Sequence, residues 1–492
     1  MRSLVPEATY QFKHALIRDA AYEALLKSRR KDLHRRVART IDEQFPALKE
    51  AQPEVLARHW TQAGEIEPAL AEWSRAGQAT RARHAFSEAL ESYREALALL
   101  SLLPESPERD LRELALRESV VHMLQITRGY SAPEVKEATE RGAALAEKSG
   151  NLAQLRNWVG SRWLNAHDSG DIPAASALAD QALELSLREG SPTSLGAAHG
   201  LQMLTRYWRG DLVGVEQHFA TVIKLFDDPA FRRNPRAAIA VFGHAARNAW
   251  ALGRTEVACE RMARVAAGAN ANGPYEVAWS GMWAALLRVL MREHEKAEAL
   301  AARALELSEK SRFPLIAAFS RCVLGRARAE LGRATEGIEL IRQGIAGMLE
   351  IGWGLGIPFS TAWLAAAQAV EGAIVDALAT VEQALQANPD QLANRPEMLR
   401  LRGELRVKQG QTELAEDDFR EAIALAQKMS AKMWELRVTT SLARLLRETG
   451  RHDEARAMLA EIYGWFTEGF DTADLKDAKA LLDELSVNGG EC

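Results

Sequence analysis

The sequence predicts an all-α protein built as a stack of about ten helix pairs, because three independent markers repeat along it with one period near 40 residues. The first marker is an apolar quartet at i, i+4, i+7 and i+8, a single stripe of a 3.6-residue helix that has to be buried. It is clearest at Ala415, Phe419, Ala422 and Ile423, and it recurs with Ala89, Ala138, Ala175, Val215, Ala258, Ala297, Gly337, Ala377 and Ala455 as first members. These stand 37–43 residues apart, except for one interval of 49. The second marker is a turn glycine five residues before the quartet, at Gly170, Gly210, Gly253, Gly332, Gly372, Gly410 and Gly450. The third is a proline at Pro235, Pro274, Pro314, Pro358 and Pro396, opening the first helix of a pair, where a missing N–H costs nothing. Gly403, inside a first helix, gives up roughly 1 kcal/mol of helix propensity, which is expected where a neighbouring backbone passes close.

Trp73, Ala76, Gly77, Ala89, Tyr93 and Ala96 fall at the Trp, Leu, Gly, Ala, Phe and Ala positions of the tetratricopeptide repeat, and Leu324-Gly325 followed by Gly332 repeats part of that pattern. The chain therefore resembles that family, with longer helices or turns than the family repeat of about 34 residues. The resemblance implies a right-handed α-solenoid of antiparallel helix pairs. Each pair buries its stripe only against its neighbours, so the stack is expected to be elongated and to offer its concave face to a partner.

In chain order, residues 1–50 are expected to be the end of a winged-helix-like region, 51–110 the first tetratricopeptide-like helices and 111–466 the array. Residues 467–486 are read as a capping helix and 487–492 as a disordered tail. Helices are expected over 53–62, 68–83 and 87–100, and Pro104-Glu105-Ser106-Pro107 is a bend that accounts for the long interval. The last helix sets Leu475, Ala478, Leu481, Leu482 and Leu485 against a charged face of Lys476, Asp477, Lys479, Asp483 and Glu484, as the end of an array requires.

The 10–45 segment lies outside the repeat. It reads Phe12-Lys13-His14-Ala15-Leu16-Ile17-Arg18-Asp19-Ala20-Ala21-Tyr22, then Leu25-Leu26, Arg29-Arg30 and Leu33-His34-Arg35-Arg36-Val37-Ala38. This resembles the end of the winged-helix region that follows the nucleotide-binding module of bacterial STAND-type signalling ATPases. In some of these a class III adenylate or guanylate cyclase domain precedes the ATPase and a tetratricopeptide array follows it. The run from Tyr463 to Lys476 resembles the end of the same cyclase-linked family. The resemblance implies a regulatory array whose partners include STAND ATPase or cyclase domains. It also places His14 where that family presents a histidine near bound nucleotide, a candidate sensor of phosphate; a packed histidine at a helix start is the plainer reading.

The departures are as informative. No GxxxxGK[ST] run is present and no Gly is followed by Lys, so the phosphate cradle is missing. There is no class III cyclase domain, no HExxH, no GxSxG and no Cys/His cluster at metal spacing. No catalytic residue, metal site or cofactor is expected. The chain reads as the receptor half of such a machine without its engine.

Composition agrees with a soluble, non-nucleic-acid-binding protein. Hydrophobic residues make up 47% and charged residues 26%, and the net charge of −5 argues against broad nucleic-acid or anionic-membrane binding. Lys27, Arg29, Arg30, Lys31, Arg35, Arg36 and Arg39 form a basic run, but Leu26, Leu33, Val37 and Ile41 make an apolar stripe beside it, leaving the bases solvated or facing an acidic domain. Cys259, Cys322 and Cys492 make no paired framework, which suits a reducing cytoplasm, and Met1 to Thr9 has no apolar core of a signal peptide. The uncharged 351–370 stretch is interrupted by Gly352, Gly354, Gly356 and Pro358, so it is read as a loop followed by a buried helix rather than a membrane span.

Aligning the repeats puts Tyr207, Trp208, Arg247, Trp250, Trp283, Arg326, Arg400 and Arg444 at or near the positions that line the concave face in the repeat family. Aromatic and arginine side chains are the usual anchors of binding surfaces; for any one tryptophan, filling space between helices is the alternative. The function expected is a non-catalytic sensor module that binds a protein or peptide on its concave face and, in its parent family, regulates an ATPase or cyclase. The alternatives are a piece of a cyclase-ATPase whose activity lies in other domains, or a tetratricopeptide-type transcription regulator, which the absence of a terminal helix-turn-helix module disfavours.

Overall fold

Helix follows helix with turns of a few residues in the computed structural model, which describes residue 20 and residues 22–129, 132–224, 235–269 and 273–487. Twenty-four helices and no strands occur among the described residues. The fold is an α-solenoid. His14 and most of the surrounding winged-helix-like pattern lie outside the described residues.

The chain divides into two units, Met1–Leu124 and Gln125–Cys492, and the division falls inside the Pro107–Arg128 helix. The first unit contains Lys27–Gln44, Pro46–Ala51, Pro53–Ala63, Ile66–Ala82 and Phe86–Leu100. Tyr93 packs on Gly77 so closely that a Cβ there would lie 2.6 Å from the ring, which is why the tetratricopeptide glycine is needed. On Lys27–Gln44 the apolar stripe is covered only at one end. Ile41 is buried, while Leu26 is 76% exposed and Val37 42% exposed. Among the bases, Arg35 is tied to Glu65 at 2.6 Å and to Asp32 at 2.9 Å, and Arg30 to Glu23 at 3.0 Å.

In the second unit the pairs run from Pro133–Ser149 and Leu152–Ser169 to Lys432–Glu448 and His452–Trp465, closed by Ala473–Val487. All ten quartets lie on helices that begin three residues before the first quartet member, or five in Pro133–Ser149, and Ala89, Ala175, Val215, Ala258, Ala297, Ala377, Ala415 and Ala455 are fully buried. Every one of the seven predicted turn glycines has positive φ, between 75° and 94°, the left-handed conformation that stops one helix and starts the next. The same turn between Pro274–Leu290 and His294–Lys310 has no glycine, and there Arg292 takes the left-handed conformation at φ 62°.

Gly403 does mark a crossing, but its neighbour is a ring rather than a backbone: a Cβ would lie 2.5 Å from Phe419. The close backbone crossing is at Gly325 and Gly337, where each added Cβ would sit 2.5 Å from the other's carbonyl oxygen.

The open, elongated trough expected from the repeat does not form within this unit, because the superhelical path meets itself. Asp168 O accepts from Gly354 N–H at 2.9 Å and Leu355 N–H at 3.1 Å, and Trp208 O accepts from Leu392 N–H at 2.7 Å. Asn388 donates to Gly170 O at 2.9 Å and Glu468 accepts from Glu256 N–H at 3.0 Å. Trp250 meets Trp434 edge to face at 4.7 Å. The partners are separated by 184–218 residues, about four and a half to five and a half repeats, so one superhelical turn rests on the next. The 351–370 stretch supplies the loop of this seam and then the Ile357–Glu371 helix. No helix among the described residues is long and apolar enough to cross a membrane.

Replacing Gly325 with Ala is expected to cost about 1–3 kcal/mol in urea denaturation, because the new methyl meets backbone that cannot rotate away. Gly281, whose added Cβ would meet Ala304 at an ordinary 3.6 Å, is the control. There Ala should be neutral or stabilise by up to about 1 kcal/mol.

Candidate functional site

The eight predicted concave-face residues separate into two groups. Tyr207, Trp208, Arg247, Trp250 and Trp283 are buried. Trp250 belongs to the seam with Trp434, and the Arg437 guanidinium lies 5.0 Å from one ring and 5.3 Å from the other. Arg247 lies 4.9 Å from the Tyr207 ring, 5.6 Å from Trp208 and 5.7 Å from Trp283.

Arg326, Arg400 and Arg444 line a cavity of about 340 Å³, together with the apolar walls of Phe359, Trp363 and Trp434. Each arginine comes from the first helix of a different pair: Pro314–Glu330, Arg395–Lys408 and Lys432–Glu448. Most of the charge in the cavity is already paired. Arg400 donates to both oxygens of Glu397, at 2.7 and 2.8 Å, and also to Glu404, while Ser441 Oγ donates to Glu404 at 2.8 Å. Burial alone would raise the Glu397 carboxyl; the charge and hydrogen bonds of Arg400, with Arg437 and Arg326 behind, hold it below the usual carboxylate range. Arg326 pairs with Glu330, and that charge is the largest influence lowering the Glu330 carboxyl.

At the other wall Arg437 donates to both oxygens of Asp474, at 2.8 and 2.7 Å, and to Leu290 O. Arg292, held left-handed by its turn, reaches Asp477 at 2.7 Å and Asp474 at 3.5 Å. Burial would lower this guanidinium, and the two aspartates more than offset it. Two cations remain at the edge. Arg444 is half-exposed and only 3.9 Å from Asp477, and Lys408 makes no ion pair. The cavity therefore has both signs, aromatic walls and a positive surplus.

Sequence reasoning missed Glu397, Glu404, Lys408, Arg437 and the capping-helix carboxylates. One signal was present: the turn-glycine series skips the turn at Arg292, and that residue carries the contact to Asp474 and Asp477. Among the described residues no cluster of three His, Cys, Asp or Glu could hold a metal ion. Cys322 is buried and its thiol is pushed up to about 12 by that burial, which leaves no thiolate nucleophile.

Residues 281–481 match the MalT-like TPR region family. That stretch contains the entire lining of the cavity. An uncharacterized protein of Rhizobium meliloti (strain 1021) is 27% identical over 163 residues, which is 33% of this chain. The match spans 16% of that protein's length. Among solved structures, a Rap protein complexed with Competence and Sporulation Factor superposes with a TM-score of 0.53 at 12% identity, covering 77% of this chain and 100% of that one. This likeness is one of fold.

Several histidines in the second unit are held neutral by the fold. His218, with its Nδ1 2.7 Å from that of His199, is lowered to about 4, first by burial and then by Arg206 and His199, against Asp211. His199 is lowered by burial, and His244 falls well below its ordinary value through burial and the charge of Arg247. Unfolding frees these rings to protonate near pH 6.5, so below that pH the unfolded chain binds more protons than the native one. Stability is then complete above pH 6.5 and declines as the pH falls toward 4. Melting temperatures from pH 8 to pH 4.5 should be flat and then drop, with a shallower drop in His218→Gln; a flat profile throughout would contradict the assignment.

Proposed function

We propose that this chain is a non-catalytic tetratricopeptide-type sensor module that binds a peptide, or a peptide segment of a protein partner, in the cavity lined by Arg326, Arg400 and Arg444. The observation that carries this reading is the convergence of three arginines from separate repeats with Trp363, Phe359 and Trp434, in a space within the range of about 300–1,000 Å³ that ligand pockets occupy. Paired charges of both signs match the alternating donors and acceptors of a peptide backbone, and Lys408 with the loosely paired, half-exposed Arg444 favours an acidic side chain or terminus at the rim. The MalT-like TPR match over this region and the fold shared with a Rap protein solved with a bound factor support the same reading.

In the parent family suggested by the N-terminal pattern, occupancy would be passed to a STAND ATPase and through it to a cyclase or another output. His14 would belong to that nucleotide-facing end, residues 1–50 to the winged-helix-like region and 111–466 to the sensor. The setting is cytoplasmic, without cofactor, membrane or nucleic acid.

Selection from a displayed random peptide library should yield binders that compete with one another for the cavity. By fluorescence polarisation they should lose at least about tenfold in affinity, about 1.4 kcal/mol, with the double substitution of Lys408 and Arg444 by Glu. Absence of enriched peptides, or binders indifferent to that substitution, would overturn the site. Incubation with ATP or GTP is expected to give no turnover and no tight binding; hydrolysis would overturn the non-catalytic reading.

A further inference from the structure

Arg247 carries a permanent charge into the interior of the second unit and finds no counter-charge among the described residues. It is 4% exposed, makes no hydrogen bond or ion pair with a described residue, and its Nε is buried without an acceptor. Its surroundings are the faces of Tyr207, Trp208 and Trp283. Cation–π contacts offset part of the desolvation of a guanidinium but supply no acceptor for its buried Nε–H. Taking a charge out of water without a partner is among the most expensive things a fold can do.

The neighbours are unsatisfied in a matching way. The indole Nε1–H groups of Trp208 and Trp283 are buried with no acceptor, and so is Nε2 of His244. His244 Nδ1 is 2.9 Å from Ala240 O, which requires the hydrogen on Nδ1 and leaves Nε2 as a lone pair awaiting a donor. Its ring lies 4.6 Å from Trp283 and 5.6 Å from Tyr207, within the same cluster. The buried acid of the Leu152–Ser169 helix, Asp168, is 2.7 Å from His167 Nδ1 and makes no ion pair with Arg247. The cluster thus holds one full positive charge and two further donors beside one acceptor.

We propose that this cluster is a binding site for a small organic acid that carries a hydrogen-bond donor next to its carboxylate, an α-hydroxy or α-amino acid. The carboxylate would accept from Arg247 and the two indoles, and the donor would face His244 Nε2. Burial on all sides favours a free small molecule over a peptide terminus, since Trp208 is covered by the Gly356 turn and by Leu392 of the next superhelical turn. The inference does not rest on the peptide reading, and its readout is a different ligand.

The test uses the full chain with L-lactate, L-alanine and acetate as probes at constant ionic strength, and with trialanine carrying a free or an amidated C-terminus. Lactate or alanine should raise the melting temperature saturably and change tryptophan fluorescence, with acetate at least about tenfold weaker for want of the donor. Arg247→Met should abolish both responses and melt at or above the unliganded wild type, because it removes an uncompensated charge. Trp283→Phe keeps the ring, removes one donor, and should weaken the response at least threefold even if the methionine variant fails to fold. No saturable response to lactate or alanine in the wild type would overturn the proposal. So would a response confined to trialanine with a free C-terminus, or one that survives in Arg247→Met.

Discussion

A helix stripe made of alanine and glycine can be buried only if another backbone comes very close, and the second unit is built on that requirement. Where Gly325 faces Gly337 and Gly344 faces Ala318 and Cys322, a Cβ on either glycine would fall 2.4–2.6 Å from its neighbour. Elsewhere the same closeness is used to seat a ring, Tyr93 on Gly77, Trp158 on Gly142 and Phe419 on Gly403. No helix pair can satisfy this alone. The stack exists because each pair supplies the close surface that the next one needs, and the left-handed turn glycines set the angle at which it arrives.

The tight stacking has a consequence for the concave side. With one superhelical turn in about five repeats, the connecting loops of later pairs reach the turns of earlier ones, and backbone hydrogen bonds such as Leu392 N–H to Trp208 O replace the solvent that an open trough would hold. Gly354 fits there because a Cβ would lie 2.0 Å from Ser169 O. Trp250 is taken up by this seam and Tyr207, Trp208 and Trp283 by Arg247 and one another, while Phe359, Trp363 and Trp434 line the charged cavity beside the Ala473–Val487 helix. The Ala473–Val487 helix takes part in this cavity, since Asp474 and Asp477 complete its wall.

The repeat was legible because three different residue types keep one phase, and a structure built of local contacts keeps that phase in space. Quartets, turn glycines and helix-opening prolines all fall where the sequence places them. The cavity was legible only in part. Repeat phase groups Arg326, Arg400 and Arg444, which line one cavity, because like positions in successive pairs lie side by side. Trp250 and Trp434 are 184 positions apart, and their meeting depends on superhelical pitch. Pitch is set by the sum of small packing angles, and no single residue records it. Arg437 with Asp474, and Arg247 with its rings, join neighbouring helices, and repeat phase alone does not say which side chains there meet.

Because the cavity charges are paired before any ligand arrives, a ligand gains from them only by exchanging partners, and its net attraction comes from the rim and from the aromatic walls. The seam gives such an exchange somewhere to act. Arg437 touches the cavity through Asp474, the seam through the rings of Trp250 and Trp434, and the turn above through Leu290 O. Any ligand group that draws Asp474 away from Arg437 loosens the side chain that bridges two superhelical turns, and a group that leaves the pair intact stabilises it. Under the proposed function, the coupling between occupancy and pitch would therefore reside in Arg437, and its sign would follow from whether the ligand competes for Asp474 or not.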